Sequence, residues 1–200
     1  MGVPLPAGPF ACILADPPWA FRTFSGENMT PHRCAEDHYS TMSFDELAAL
    51  PVGDVAAKDC ALFMWVAGSA MGQAMDLGAA WGFGRPVTDV FQWLKERMIG
   101  AGQVDLFTGD VPEPRMGMGY WSRKQVESCW LFTRGSPRRI SKGVRQVIVE
   151  PRREHSRTPD AQYERLEALV AGPRLELFAR SRRPGWDAWG NQVEKFEVAA

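Results

Sequence analysis

Residues 13–21, ILADPPWAF, join an apolar run to an acid, two prolines and a tryptophan. Phe10 to Ala15 is almost continuously apolar, the pattern of a strand covered on both faces. Asp16 stands at its end. Proline fixes φ at about −65° and has no N–H, so Pro17 and the residue before it are held extended. Carbonyls held in that way can face a cleft as acceptors. Asp16 and a proline carbonyl together can take both hydrogens of an exocyclic amine, which aims the nitrogen lone pair away from them. Trp19 offers a flat face on which a purine can stack. D-P-P is also an ordinary turn, and Trp19, one of eight tryptophans, can equally be core.

Composition narrows the setting. The 200 residues are 45% hydrophobic, which suits one domain over 1–200 with a substantial core. No apolar run reaches the ~18 residues of a membrane span. MGVPLPAGPF has neither the basic nor the apolar region of a secretory leader. Cys12, Cys34, Cys60 and Cys129 are scattered with no C-x-x-C, as expected of reduced thiols in a cytoplasmic protein. His32, Cys34 and His38 match no standard zinc spacing, so no metal is expected. The net charge of −1 conceals an asymmetry: residues 123–183 carry 15 Lys/Arg against 7 Asp/Glu. The basic side chains of 134–145 (RGSPRRISKGVR) and 152–157 (RREHSR) can meet a polyanion, although a solvated face is the plainer reading.

Patterning extends the reading along the chain. Ser43-Phe44-Asp45-Glu46 has the form of a capping box and opens a short helix that Pro51 to Gly53 ends. Strands are expected at Ala61–Val66, Val87–Leu94, Cys129–Thr133, Val144–Val149 and Leu175–Ala179, the last of them final. A helix is expected from about Ser69 to Trp81. Another opens at Thr158-Pro159-Asp160, with cap, proline and acid in order. Alternation of this kind implies an α/β protein with a largely parallel sheet, whose ligands collect at the carboxyl ends of the strands. Residues 96–120 are rich in glycine and proline and aperiodic, which suits a functional loop.

ADPPW is followed by HYSTMS (38–43), LFMWV (62–66), FQWLKE (91–96), GYWSR (119–123), ESCWLFTRG (127–135), RQVIVEPRREHSR (145–157), RLELFAR (174–180) and PGWDAWGNQV (184–193). In that order these resemble the MT-A type of N6-adenine methyltransferase over nearly the whole chain, and the compact length resembles its small bacterial or phage members. The resemblance implies a Rossmann-like fold in permuted order, with the DPPW element first. It implies S-adenosyl-methionine as cofactor, held by Asp16, Ser156, Arg157, Thr158, Arg180, Asn191 and Gln192. It makes Asp16, Pro17, Pro18 and Trp19 the catalytic element. It points to Tyr39, Lys95, Tyr120, Arg123 and Glu127 for the target base. The implied reaction is methyl transfer to adenine N6 in nucleic acid, in DNA rather than RNA, with the basic stretch 134–157 on the backbone. A second subunit is left open. Thr158 departs from the family, whose members usually have lysine there. That departure keeps an inactive, nucleic-acid-binding subunit as the alternative. A glutamine-methylating enzyme would usually open the motif with Asn, so Asp16 weighs against it.

Overall fold

The computed structural model describes residues 4–19, 41–96, 121–154 and 157–196. Seven strands, β1 (Phe10–Ala15), β2 (Ala56–Val66), β3 (Pro86–Glu96), β4 (Val126–Arg134), β5 (Val147–Pro151), β6 (Arg174–Leu177) and β7 (Asp187–Trp189), form one sheet. Their order is β5-β3-β4-β2-β1-β6-β7. Four helices, α1 (Phe44–Ala48), α2 (Val52–Val55), α3 (Met71–Ala80) and α4 (Ala161–Leu169), pack against it. This is the Rossmann-like α/β architecture, begun at a central strand. No helix among the described residues is long and apolar enough to cross a membrane.

The apolar runs are continuous because both faces are covered. Ile13, Ala15, Leu62 and Met64 pack with Leu47, Val52, Ala74, Leu77 and Trp81 from the side of α1 to α3. Cys12, Leu14, Phe63 and Trp65 pack the other way, with Tyr163 and Leu166 of α4. The capping box forms as expected: Ser43 Oγ accepts from the Glu46 N–H, and Glu46 accepts from the Ser43 N–H at 2.8 Å.

Four features differ from the sequence expectations. β4 runs antiparallel to both β2 and β3, while the other four pairings are parallel. A further strand, β7, lies beyond β6 and is too short, at three residues, for alternation to register. A separate turn of helix, α2, follows Pro51. The cap of α4 comes from elsewhere in the chain: the Glu150 carboxylate, at the end of β5, accepts from the N–H groups of Asp160 (3.0 Å) and Ala161 (2.9 Å). A carboxylate on the first amides of a helix meets both its unpaired donors and its dipole. The start of α4 is thereby tied to the carboxyl end of the sheet.

α3 approaches the sheet through Gly78, where a Cβ would lie 2.7 Å from the Phe132 ring. Phe132 is fully buried and has nowhere to go. Gly78→Val is therefore expected to cost about 1–3 kcal/mol in urea denaturation by overpacking. Gly72→Ala, on the same helix with nothing near its added methyl, is expected to be neutral or slightly stabilising. Equal effects at the two positions would show that the contact with Phe132 is not tight.

Candidate active site

β1 leaves towards β2 through α1 and α2, whereas β6, on its other side, is reached from β5 through α4. Crevices of open α/β sheets form where neighbouring connections part in this way, at the carboxyl ends of the strands. Asp16 sits at that point. Alternation fixes which face it takes: Asp16 follows Leu14 by two residues, and Leu14 points to α4. The same parity brings Lys95 (two after Trp93), Glu127 (paired with Trp93) and Glu176 (paired with Leu14) to the α4 side.

Above Asp16 lies a pocket of about 250 Å³. One wall is aromatic, made by Trp19, Trp65 and Trp93. Trp65 and Trp93 meet edge to face at 6.3 Å. A second wall carries Lys95 and Glu127, ion-paired at 2.5 Å, with the ammonium 4.8 Å from the centre of the Trp93 ring. The third comes from the approach to α4 and the end of β6: Arg157, Thr158 and Arg180. A smaller cavity adjoins on the β6 side, shared by Asp16, Arg157, Thr158, Glu176, Arg180 and Phe196.

The backbone holds these groups closely. Trp19 N–H donates to Pro17 O at 2.8 Å, and Met42 N–H donates to Pro18 O at 3.0 Å. Of the two prolines, Pro17 lines the pocket. Its carbonyl keeps a second lone pair after bonding Trp19. Trp19 itself is only 4% exposed and forms a wall of both the pocket and the core, so the two places the sequence left open to it are occupied at once. Beyond β6 the chain turns through Phe178 at φ 61°, and Phe178 packs on Trp189 at 5.7 Å. Gly190 lies so near that a Cβ would stand 2.8 Å from Ala179 O. That crossing point sets the root of Arg180.

Electrostatics follow from this enclosure. Burial pushes the Asp16 carboxyl up to about 7; Glu127 adds to the rise, while Arg180 and Lys95 oppose it. Glu176 is also pushed up to about 7, chiefly by burial, against a 2.9 Å hydrogen bond from Tyr163 and the pull of Arg183. On the rim, Asp160 is opposed by burial but is held below its ordinary value by Arg153 (2.5 Å) and Arg183 (2.9 Å), with Arg157 at 3.8 Å.

Of the residues expected from the sequence, Asp16, Pro17, Trp19, Lys95, Glu127, Arg157, Thr158 and Arg180 converge on one pocket. Arg123 does not: it lines a groove with Gln92, Ser128 and Trp130 on the α3 side of the sheet. Asn191 and Gln192 line an open groove with Arg182 on the turn after β7, outside the pocket of Asp16. Tyr39, Tyr120 and Ser156 lie outside the described residues, as do residues 97–120 and the His32, Cys34 and His38 set. Sequence reasoning missed Trp65, Trp93, Arg152, Glu154 and Glu176. The signal available for Glu176 was a lone acid inside RLELF, at the end of a strand beside Asp16.

The basic stretch 134–157 is spread along the sheet, with Arg152 and Arg157 at the pocket and Arg134 well away from it. β4 runs away from the site: Glu127 adjoins Ser128, which pairs with Val66 at the carboxyl end of β2, and Arg134 pairs with Cys60, near its middle. Seven antiparallel residues at about 3.4 Å each put about 24 Å between them. The exposed Arg138, Arg139, Lys142 and Arg145 follow Arg134 in the connection that returns the chain to β5, whose Val147 pairs with Gln92 of β3. Closer to the pocket, Arg153 and Arg157 are engaged with Asp160 and Glu154.

Comparison with known proteins gives this geometry a family. The MT-A70 family model matches residues 10–192. The chain belongs to the MT-A70 family. Methylation of adenine N6 is the reaction of that family. A Mycoplasma protein named as the type II methyltransferase M.MunI is 32% identical over 97% of this chain and 83% of its own length. The human N(6)-adenosine-methyltransferase catalytic subunit METTL3 is 31% identical over 94% of the chain. The mouse N(6)-adenine-specific methyltransferase METTL4 is 28% identical, also over 94%. The chain spans 29% of the METTL3 relative and 38% of the METTL4 relative.

The two raised carboxyls of this MT-A70 site carry a pH signature. Both bind a proton more tightly folded than unfolded, so the stability they contribute is complete below about pH 4 and is lost as pH rises through about 7. Urea midpoints of the unliganded protein should fall from pH 5 to pH 8, and Asp16→Asn should flatten part of that fall. A slope identical in the two proteins would contradict the burial of Asp16.

Proposed function

We propose that the chain is an S-adenosyl-methionine-dependent methyltransferase, folded as one domain, that methylates adenine N6 in DNA. The observation that carries this reading is Asp16 itself, a desolvated carboxylate at the carboxyl end of a central strand, with the Pro17 carbonyl beside it in a pocket of aromatic and charged walls. The donor set fits the cofactor's chemistry: carboxylates for a cation and for hydroxyls, guanidiniums for a carboxylate. Asp16, Arg157, Thr158 and Arg180 would hold it from the pocket. The family resemblance adds Ser156, Asn191 and Gln192 to its partners, the last two from the groove after β7. When bound, the cofactor supplies an electrophilic methyl carbon.

The chain's own part is positioning. Asp16 and Pro17 O accept the two hydrogens of the adenine amine, so that its lone pair points outward along the line of displacement. The surplus proton leaves as or after the methyl arrives, and a carboxylate titrating near neutrality is able to take it. The Lys95–Glu127 pair offers a donor and an acceptor to the base edge. A base from a duplex must be flipped out, at about a few kcal/mol, before it reaches this pocket. DNA is the preferred polymer because the chain matches most of the length of the type II methyltransferase and under a third of METTL3.

The test is tritiated-methyl transfer to DNA and RNA with nucleoside analysis. Label is expected in N6-methyladenine, and Asp16→Ala is expected to lower kcat/KM by about 100-fold or more. Label on cytosine, or label that survives the substitution, would overturn the mechanism. Binding of nucleic acid without transfer would favour a non-catalytic subunit.

A further inference from the structure

Gln162 is the one polar residue in the described core that is fully buried, and it lies between two walls of the pocket. Trp65 Nε1 donates to its Oε1 at 2.6 Å, and its Nε2 donates to Thr158 Oγ1 at 2.7 Å. The orientation of this amide is forced. An indole nitrogen can only donate, so the oxygen of Gln162 must face Trp65 and its NH₂ must face Thr158. A hydroxyl that accepts from an amide has its own proton left to give. Among the described residues nothing takes that proton. Thr158 lines both the main pocket and the smaller cavity, alongside Arg157 and Arg180.

We propose that Gln162 is a positioning residue that occupies one lone pair of Thr158 Oγ1 and so turns the hydroxyl proton towards an oxygen acceptor of the pocket's ligand. The neighbouring guanidiniums make that acceptor a carboxylate or other electron-rich oxygen. The relay passes a constraint from donor to donor: Trp65 sets Gln162, and Gln162 sets Thr158. A threonine whose hydroxyl is free to turn could accept as readily as donate, and would give the ligand less discrimination. Here one lone pair of the station is held by the amide and its proton faces the pocket, and donation is also the one hydrogen-bonding role that an ammonium at this position could play. The identity of the ligand rests on the methyltransferase reading; the polarity of the station does not.

Gln162→Glu tests the relay because it keeps the shape and removes the donor. Its carboxylate would accept from Trp65 and also from the Thr158 hydroxyl, turning that proton away from the pocket. Calorimetric titration with S-adenosyl-methionine is expected to show a roughly tenfold rise in Kd for Gln162→Glu and for Thr158→Val, about 1.4 kcal/mol each. The double variant should be no weaker than either single one. Thr158→Ser, which keeps the hydroxyl, should stay within about twofold of wild type. Lowering the pH should recover Gln162→Glu relative to wild type at the same pH, because the protonated acid can again donate to Thr158. Losses that add in the double variant, or a Gln162→Glu defect indifferent to pH, would overturn the assignment. The hydrogen bonds themselves can be read without ligand: Gln162→Met should move the Trp65 indole N–H resonance upfield. An unmoved resonance overturns the relay, whereas failure of the wild-type protein to bind S-adenosyl-methionine overturns the methyltransferase reading instead.

Discussion

A carboxylate at the end of a strand that is buried on both faces must be held against the cost of taking its charge out of water. That cost shapes the site around Asp16. Burial dominates its environment, and the two cations that favour its ionised form, Arg180 and Lys95, come from the turn after β6 and from β3, on either side of β1. Neither neutralises it outright: Lys95 is committed to Glu127, which itself opposes ionisation of Asp16. The result is a group balanced near neutrality, able both to accept hydrogen bonds from a neutral amine and to take up a proton. Pro17 and Pro18 serve the same end by making the exit from β1 stiff. A carboxylate that could swing into solvent would escape the penalty and lose the geometry.

Much of the fold was readable because burial on two faces leaves a plain mark. FACILA and ALFMWV are apolar at every position, and each alternate residue enters a different half of the core. What could not be read was set by pairing rather than by local pattern. The direction of β4 is invisible in its sequence, since VESCWLFTR would alternate identically if it ran parallel. β7 has three residues and gains its place from register with Leu175 to Leu177. The cap of α4 was assigned to Thr158 because cap, proline and acid stand there in order, yet Glu150 supplies it from β5. Thr158 is released from capping and becomes part of the pocket.

The site divides in the same way. Asp16, Lys95, Glu127 and Arg180 stood out because a charge next to an apolar strand is conspicuous, and the family resemblance named their roles. Trp65 and Trp93 were hidden in the runs that made the strands easy to find. A tryptophan at the last turn of a buried strand has one edge in the core and one over the crevice, and only the three-dimensional end of the strand tells them apart. Glu176 was hidden by its neighbours in RLELF, where a polar residue is ordinary in a half-buried strand. Arg123 enters beside the same strand as Glu127 but lines the groove on the other face of the sheet.

The excess of cations in 123–183 illustrates why a count of charges says little about where a polyanion binds. Arg134 is bonded to the Gly53 carbonyl, Arg165 to the carbonyls of Arg145 and Val147, and Arg153 and Arg183 to Asp160. These hold loops to the sheet. Of the cations left exposed, Arg138, Arg139, Lys142 and Arg145 lie between β4, which leads the chain away from the pocket, and β5, which brings it back, while Arg123 and Arg182 stand outside that connection. At the site itself the charges are paired and partly desolvated, which suits them to orient a ligand already present and not to attract one from solution. The cations of 123–183 are therefore spread along the sheet and are not gathered at the pocket.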